Sequence, residues 1–372
     1  MIKVIAVFGT RPEAIKMAPV VHQLKSQKNK FKTIVCVTAQ HRHMLDQVLK
    51  IFNIRSNYDM DIMRKAQTLY QITTNGLLQL EAIYKKEKPD LVLVHGDTTT
   101  TLVAALAAFY EKIPVGHVEA GLRSFDKFNP FPEEINRRIA DVLSDLYFVP
   151  TALGARNLKR EGINSRQLYV TGNTVIDALH LALKQPYRLR DKELNRLAPG
   201  KRIILVTAHR RENWGQPLAN ICAALKQVAQ DYPDVQIIYP VHLNPQVKNI
   251  VYPALGKIKN VILCQPLDYL DFIHLMKKSY LVLTDSGGLQ EEAPSLGKPV
   301  LVLRRVTERP EGVKAGTVKV IGTDRKEIYR QTSRLLTDKK AYLKMASAVN
   351  PYGDGQASQR IARAIGQYFR HK

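Results

Sequence analysis

Short apolar runs alternate with longer amphipathic stretches along this whole chain, and the alternation plays twice. Residues 4–8, 33–37, 91–94, 115–118 and 146–149 are brief, rich in β-branched side chains and bounded by polar turns, which predicts buried strands. Between them, 14–25, 44–52, 69–86, 102–110 and 134–143 carry helical spacing. The pattern then restarts, with strands expected at 203–207, 236–239, 261–263, 281–284 and 300–303. Strands alternating with helices imply parallel sheets covered on both faces. The expected fold class is therefore α/β: two Rossmann-like, doubly wound domains with an inter-domain cleft. A length of 372 residues suits two such cores. A charged, apolar-poor stretch at 185–202 reads as the linker, and Pro351-Tyr352-Gly353-Asp354-Gly355 reads as a turn that launches a last helix.

Charge narrows the partners. Lys and Arg number 56 against 33 Asp and Glu, a formal net charge of +23. The basic residues are scattered, with no block of five and no interleaved aromatics, so a solvated surface explains most of them and nucleic acid is not expected. Cys36, Cys222 and Cys264 stand singly in apolar segments, as reduced buried thiols would. The chain opens directly into a strand pattern with no secretion signal, and its longest apolar stretch, around 102–110, is too short for a bilayer. A cytoplasmic protein without a membrane partner is expected.

The chemistry-bearing residues cluster at predicted strand ends. After the first strand comes Gly9-Thr10-Arg11-Pro12-Glu13, with capping-box spacing between Thr10 and Glu13 and a proline suited to a first helical turn. A helix N-terminus there, flanked by Arg11 and Lys16, is expected to bind phosphate, although the plain alternative is an ordinary cap with solvated cations. Asp285-Ser286-Gly287-Gly288 suggests a second anion site, with exposed amides at a helix start and Glu292 one turn in, placed for ribose hydroxyls. Asp97, Glu119 and Glu133 follow strands of the first half. Singly they read as an N-cap, a partner for Arg123 and a first-turn dipole charge. Together on one sheet edge they favour general acid–base work. His209 follows the first strand of the second half beside Arg210 and Arg211, a setting suited to anions. No His, Cys or Asp set has metal-ligand spacing and no nucleophile elbow is present, so neither metal nor Ser-His-Asp chemistry is expected.

As a set these motifs resemble the non-hydrolysing UDP-N-acetylglucosamine 2-epimerases. Carrying the resemblance, in order along nearly the whole chain, are Gly9-Thr10-Arg11-Pro12-Glu13, Thr38-Ala39-Gln40-His41, His95-Gly96-Asp97-Thr98-Thr99, His117-Val118-Glu119-Ala120-Gly121-Leu122-Arg123, Pro132-Glu133-Glu134, His209-Arg210-Arg211-Glu212, Tyr239-Pro240-Val241-His242 and Asp285-Ser286-Gly287-Gly288-Leu289-Gln290-Glu291-Glu292. The resemblance implies a GT-B-like fold. It places a first domain at 1–169, with the last helix, 354–372, returning to it, and a UDP-binding domain at 170–353. It implies reversible interconversion of UDP-GlcNAc and UDP-ManNAc for cell-surface polysaccharide precursors, with no added cofactor and usually by a homodimer.

Residue by residue, the resemblance implies Asp97, Glu119 and Glu133 as acid–base carboxylates. Arg11, Lys16, His209, Ser286, Gly287, Gly288, Glu292 and Arg309 would hold UDP, with Phe272 near the uracil. Gln40, His41, Gln67, Arg210 and His242 match an allosteric site for a second UDP-GlcNAc, with Ala66 standing where an arginine is expected. The rivals are a GT-B glycosyltransferase, which needs an acceptor, a hydrolysing epimerase, which releases free sugar, and a nucleic-acid binder, whose binding would fall steeply with salt.

Overall fold

The computed structural model describes residues 1–38, 42–63 and 67–370. They divide into two compact units: Met1–Ala182 with the segment from Tyr352 onward, and Leu183–Pro351.

The first unit opens with β1 (Ile2–Phe8), α1 (Arg11–Ser26), β2 (Phe31–Val37), α2 (Arg42–Ile51) and β3 (Tyr58–Asp59). It continues with α3 (Leu69–Glu87), β4 (Leu91–His95), α4 (Thr99–Tyr110) and β5 (Val115–Val118). Then come α5 (Glu133–Leu143), β6 (Leu146–Val149), α6 (Ala152–Arg160), β7 (Leu168–Val170) and α7 (Thr174–Leu183). Among the described residues the seven strands form one sheet in the order β3-β2-β1-β4-β5-β6-β7, and every pairing is parallel. Helices cover both faces, so Val4 through Phe8 are all 0% exposed and β1 reads as an unbroken apolar run rather than an alternating one.

The second unit repeats the plan. It contains β8 (Arg202–Thr207), α8 (Gln216–Asp231), β9 (Val235–Pro240), α9 (Pro245–Leu255), β10 (Val261–Cys264) and α10 (Tyr269–Lys278). There follow β11 (Leu281–Thr284), α11 (Gly287–Glu292), β12 (Val300–Val302), α12 (Pro310–Ala315), β13 (Val318–Val320), α13 (Arg325–Thr337) and α14 (Lys339–Ala346). Its six strands run in the order β10-β9-β8-β11-β12-β13, again all parallel. A core of Ile204, Val206, Leu225, Ile237 and Leu283, among others, fills the space between sheet and helices.

The last helix, α15 (Ala357–Tyr368), belongs to the first unit and packs on α1. Its first turn is held by a carboxylate rather than by its own cap. Buried Asp177 of α7 accepts from the Ala357 amide at 3.1 Å, the Ser358 amide at 2.8 Å and the Ser358 hydroxyl at 2.6 Å. The turn before α15 requires glycine, because Gly353 has φ of 130° and a Cβ there would lie 3.4 Å from the Gly172 backbone. This anchoring explains where the units divide. The division falls at the end of α7, later than residue 170 and ahead of the polar stretch 185–202, since α7 buries Val175, Ile176, Leu179 and Ala182 and grips α15.

Candidate active site

In an open parallel sheet, the loops leaving two neighbouring strands diverge where the strand order reverses, and ligands bind there. In the first unit that point lies between β1 and β4, at the Gly9–Thr10 turn and the Gly96–Asp97 turn.

The capping box is present: the Glu13 amide donates to Thr10 Oγ1 at 3.4 Å, and Glu13 Oε2 accepts from the Thr10 amide at 2.7 Å. Its consequence differs from the expected phosphate cradle. Glu13 Oε2 also takes the Gly9 amide at 3.0 Å, and Oε1 takes the Thr98 hydroxyl at 2.6 Å. The turn amides are thus occupied by a buried side chain, and Glu13 serves to lock the β1 and β4 turns together. Burial raises its carboxyl above the ordinary value, although the bonds from Thr98, Thr10 and Gly9 oppose that rise. Of the two cations expected to face phosphate, Arg11 is half-buried with no partner among the described residues, whereas Lys16 makes an ion pair with Glu119.

Asp97 lies within electrostatic reach of both Glu119 and Glu133. Asp97 accepts from Arg137 of α5 at 2.5 Å, and Asn136 donates to its backbone carbonyl at 3.0 Å. Burial raises the Asp97 carboxyl; Arg137 and Lys16 pull it down, while the nearby charges of Glu119 and Glu133 push it further up. That mutual influence places all three acids in one electrostatic neighbourhood. Glu119 has φ of 66°, left-handed backbone that a non-glycine residue adopts only where its surroundings impose it. Its Oε1 faces Lys16 and accepts from Asn173 Nδ2 at 3.0 Å, and its Oε2 lies 3.5 Å from His95 Nε2. Two of the plain alternatives fail. Thr98, not Asp97, caps α4, and Arg123 pairs with Asp141 and Glu161, not with Glu119. Glu133 does open α5, so a dipole role is compatible with its position.

The second unit reverses strand order between β8 and β11, and the expected anion-contacting residues leave those strands. The organiser is Asp285, which is 0% exposed. Its Oδ2 accepts from the His209 amide at 2.7 Å, the Arg210 amide at 2.8 Å and Asn213 Nδ2 at 3.0 Å. His209 stacks on His242 with 5.4 Å between ring centroids, and burial lowers its pKa despite the attraction of Asp285. Ser286 stands at the N-cap of α11 without a side-chain capping bond, its amide donating instead to Thr284 Oγ1 at 2.9 Å. The Ser286 hydroxyl is thus not used to cap α11. Glu292 turns back over Gly288, where an added Cβ would meet its Oε2 at 3.7 Å.

Other expected contacts are less direct. Phe272 is half-buried in the first turns of α10, and Arg309 bonds Glu291 through Nε. Within the expected allosteric set, His209 joins Arg210 to His242; Gln67 belongs to the first unit, while Gln40 and His41 lie outside the described residues. The sequence motifs included Glu13 as a capping residue and Asp285 in an anion turn but not the way each ties its turn together, and they gave no role to His95, Arg137 or Asn173. The visible signal was polarity at the last position of an apolar strand, as in His95, or directly after one, as in Asp285. Among the described residues no group of three metal-ligating side chains gathers, and no helix is long and apolar enough to cross a membrane.

Two doubly wound parallel sheets in tandem make this a GT-B-like α/β protein; a glycotransferase of kitacinnamycin shares the fold at a TM-score of 0.65 and 13% identity, over 97% of this chain and 98% of that one. UDP-N-acetylglucosamine 2-epimerase of Escherichia coli strain K12 is 54% identical over 370 residues, 98% of each chain. A crystal structure of the Neisseria meningitidis UDP-GlcNAc 2-epimerase bound to UDP-GlcNAc matches with a TM-score of 0.85 and 49% identity, over 98% of this chain and 100% of that one. The family described as UDP-N-acetylglucosamine 2-epimerase matches residues 22–366, and the chain belongs to it, as an isomerase.

Proposed function

We propose that the chain interconverts UDP-GlcNAc and UDP-ManNAc by reversible elimination and re-addition of UDP, without hydrolysis and without an added cofactor. The observation that carries this reading is the gathering of Asp97, Glu119 and Glu133 at the β1/β4 switch point. Inversion at C-2 needs proton donors or acceptors on both faces of the sugar, and several carboxylates in one place supply them. The C-2 hydrogen is too weakly acidic for an unaided carboxylate. Its removal is coupled to breaking the C-1–oxygen bond, which yields a 2-acetamidoglucal, UDP and a protonated carboxyl group. Protonation of C-2 by a second carboxyl group on the other face, with return of UDP to C-1, completes the inversion; the first carboxyl then releases its proton to solvent and the second regains one, which restores the enzyme.

The diphosphate carries the departing charge, and donors fixed in advance stabilise it. Arg11, His209, the Ser286 hydroxyl and the Gly287 and Gly288 amides serve here, with Glu292 on the ribose, Arg309 supporting the nucleotide and Phe272 beside the uracil. Lys16 acts through Glu119 rather than on phosphate. Such a product suits cytoplasmic supply of cell-surface polysaccharide precursors.

The test uses UDP-GlcNAc alone in deuterated water. Both epimers should acquire deuterium at C-2, with no net release of UDP. Epimers free of deuterium would exclude proton abstraction, and irreversible release of UDP with free ManNAc would show hydrolysis.

A homodimer belongs to this proposal. Ile135, Ile139 and Val142 form a stripe on α5, exposed by 37%, 38% and 77%, and Tyr70 and Leu78 are exposed on α3. An apolar stripe at this spacing suits helix–helix association. Sedimentation should give twice the 42.1 kDa chain mass, and Ile139→Glu combined with Val142→Glu should give monomers. A monomeric parent protein would remove the dimer.

A further inference from the structure

Two buried histidines stand on neighbouring strands, and only one has an ordinary structural explanation. His117 of β5 is fully satisfied: Nδ1 meets Asp141 Oδ1 at 2.7 Å and Nε2 meets the Gly96 carbonyl at 2.7 Å. His95, at the end of β4, is 3% exposed, yet neither ring nitrogen has a hydrogen-bond partner. Leaving both nitrogens of a buried imidazole unpaired is unfavourable, so a ring in this state calls for a reason. Its Nε2 lies 3.5 Å from Glu119 Oε2, while Lys16 and Asn173 meet the other oxygen. The ionisable groups acting on the ring are Glu119, Lys16 and His117.

We infer that His95 is a positioning residue for Glu119, donating Nε2–H to Oε2 and fixing the direction in which that carboxylate faces the sugar. This rests on the proposed acid–base role of Glu119. A gap of 3.5 Å is slightly long for a hydrogen bond, and such bonds often tighten only when substrate is bound. Burial lowers the imidazole to about 3, although the Glu119 charge pulls the other way, so the ring stays neutral across working pH. A neutral ring can hold the carboxylate without joining its proton transfers. Lys16 and Asn173 hold one of the two carboxylate oxygens, and His95 is placed to fix the other, Oε2.

The test compares His95→Leu, His95→Gln and His95→Asn. The leucine variant should lose about tenfold in kcat with KM for UDP-GlcNAc nearly unchanged. The acid limb of its kcat–pH profile should move about one unit higher, because the ionised carboxylate has lost a donor. Glutamine places an amide N–H where Nε2 stood and should restore kcat to within about threefold, while the shorter asparagine should not. A merely structural histidine would lower the melting temperature in all three without moving the acid limb. Wild-type kcat and pH profile in His95→Leu would overturn the inference. Should that variant not fold, equal acid limbs in the glutamine and asparagine variants would do the same. Glu119→Gln is run alongside: if it keeps full turnover, the reading of Glu119 itself has failed, which is a separate outcome.

Discussion

Glu119→Gln is expected to lower kcat at least about a hundredfold while leaving UDP affinity within about threefold. The amide keeps the size of the side chain and can still accept a hydrogen bond, but it cannot take a proton from carbon or return one. It also removes the charge opposite Lys16, whose side chain is 19% exposed, so some of the loss will come from breaking this ion pair. Asp97→Asn should behave alike and leave Arg137 with only its longer pairing to Glu134, at 3.5 Å. UDP titration calorimetry beside steady-state kinetics separates the two effects: chemistry lost with binding kept indicates a carboxylate that acts on the sugar. Near-parental turnover in either variant would remove that residue from the mechanism.

The parts of this site that were legible in the sequence are those set by strand ends. In a parallel sheet covered on both faces, strands are short unbroken apolar runs, so β1, β4, β8 and β11 could be read, and with them the turns that carry Gly9, Asp97, His209 and Ser286. Strands β3, β7 and β13 were missed because they are two or three residues long and lie at or towards sheet edges, where little apolar surface is required. Pairings distant in sequence were also hidden. Lys16 and Glu119 are 103 positions apart, and no periodicity connects them. The Thr10–Glu13 spacing correctly signalled a helix start, yet that same Glu13 takes the amides that suggested a phosphate cradle. A local motif thus fixed the backbone, while the two amides it offered are taken by a carboxylate, which competes with a phosphate for the same donors.

Asp285→Ala should have the second large effect, on stability and nucleotide affinity together. One carboxylate oxygen gathers the His209 and Arg210 amides and Asn213 Nδ2, and Asn213 also reaches the Leu303 carbonyl at 3.1 Å. The turn after β8 is therefore shaped from the end of β11, and the two strands at the switch point share one acceptor. Removing it strands three donors, each costing about 1–3 kcal/mol where water cannot reach. His209 and Arg210 are only half-buried, so water will recover part of this. A net loss of about 2–4 kcal/mol is expected, which lowers the melting temperature by several degrees in a unit of this size. Asp285→Asn keeps an acceptor oxygen for the two backbone amides and should fall between alanine and the parent. UDP affinity should follow the same order, because His209 and the Ser286 turn are held in register through this side chain. If Asp285→Ala melts and binds UDP like the parent, the β8 turn is shaped by its own backbone and the proposed diphosphate contacts of the second unit need another organiser.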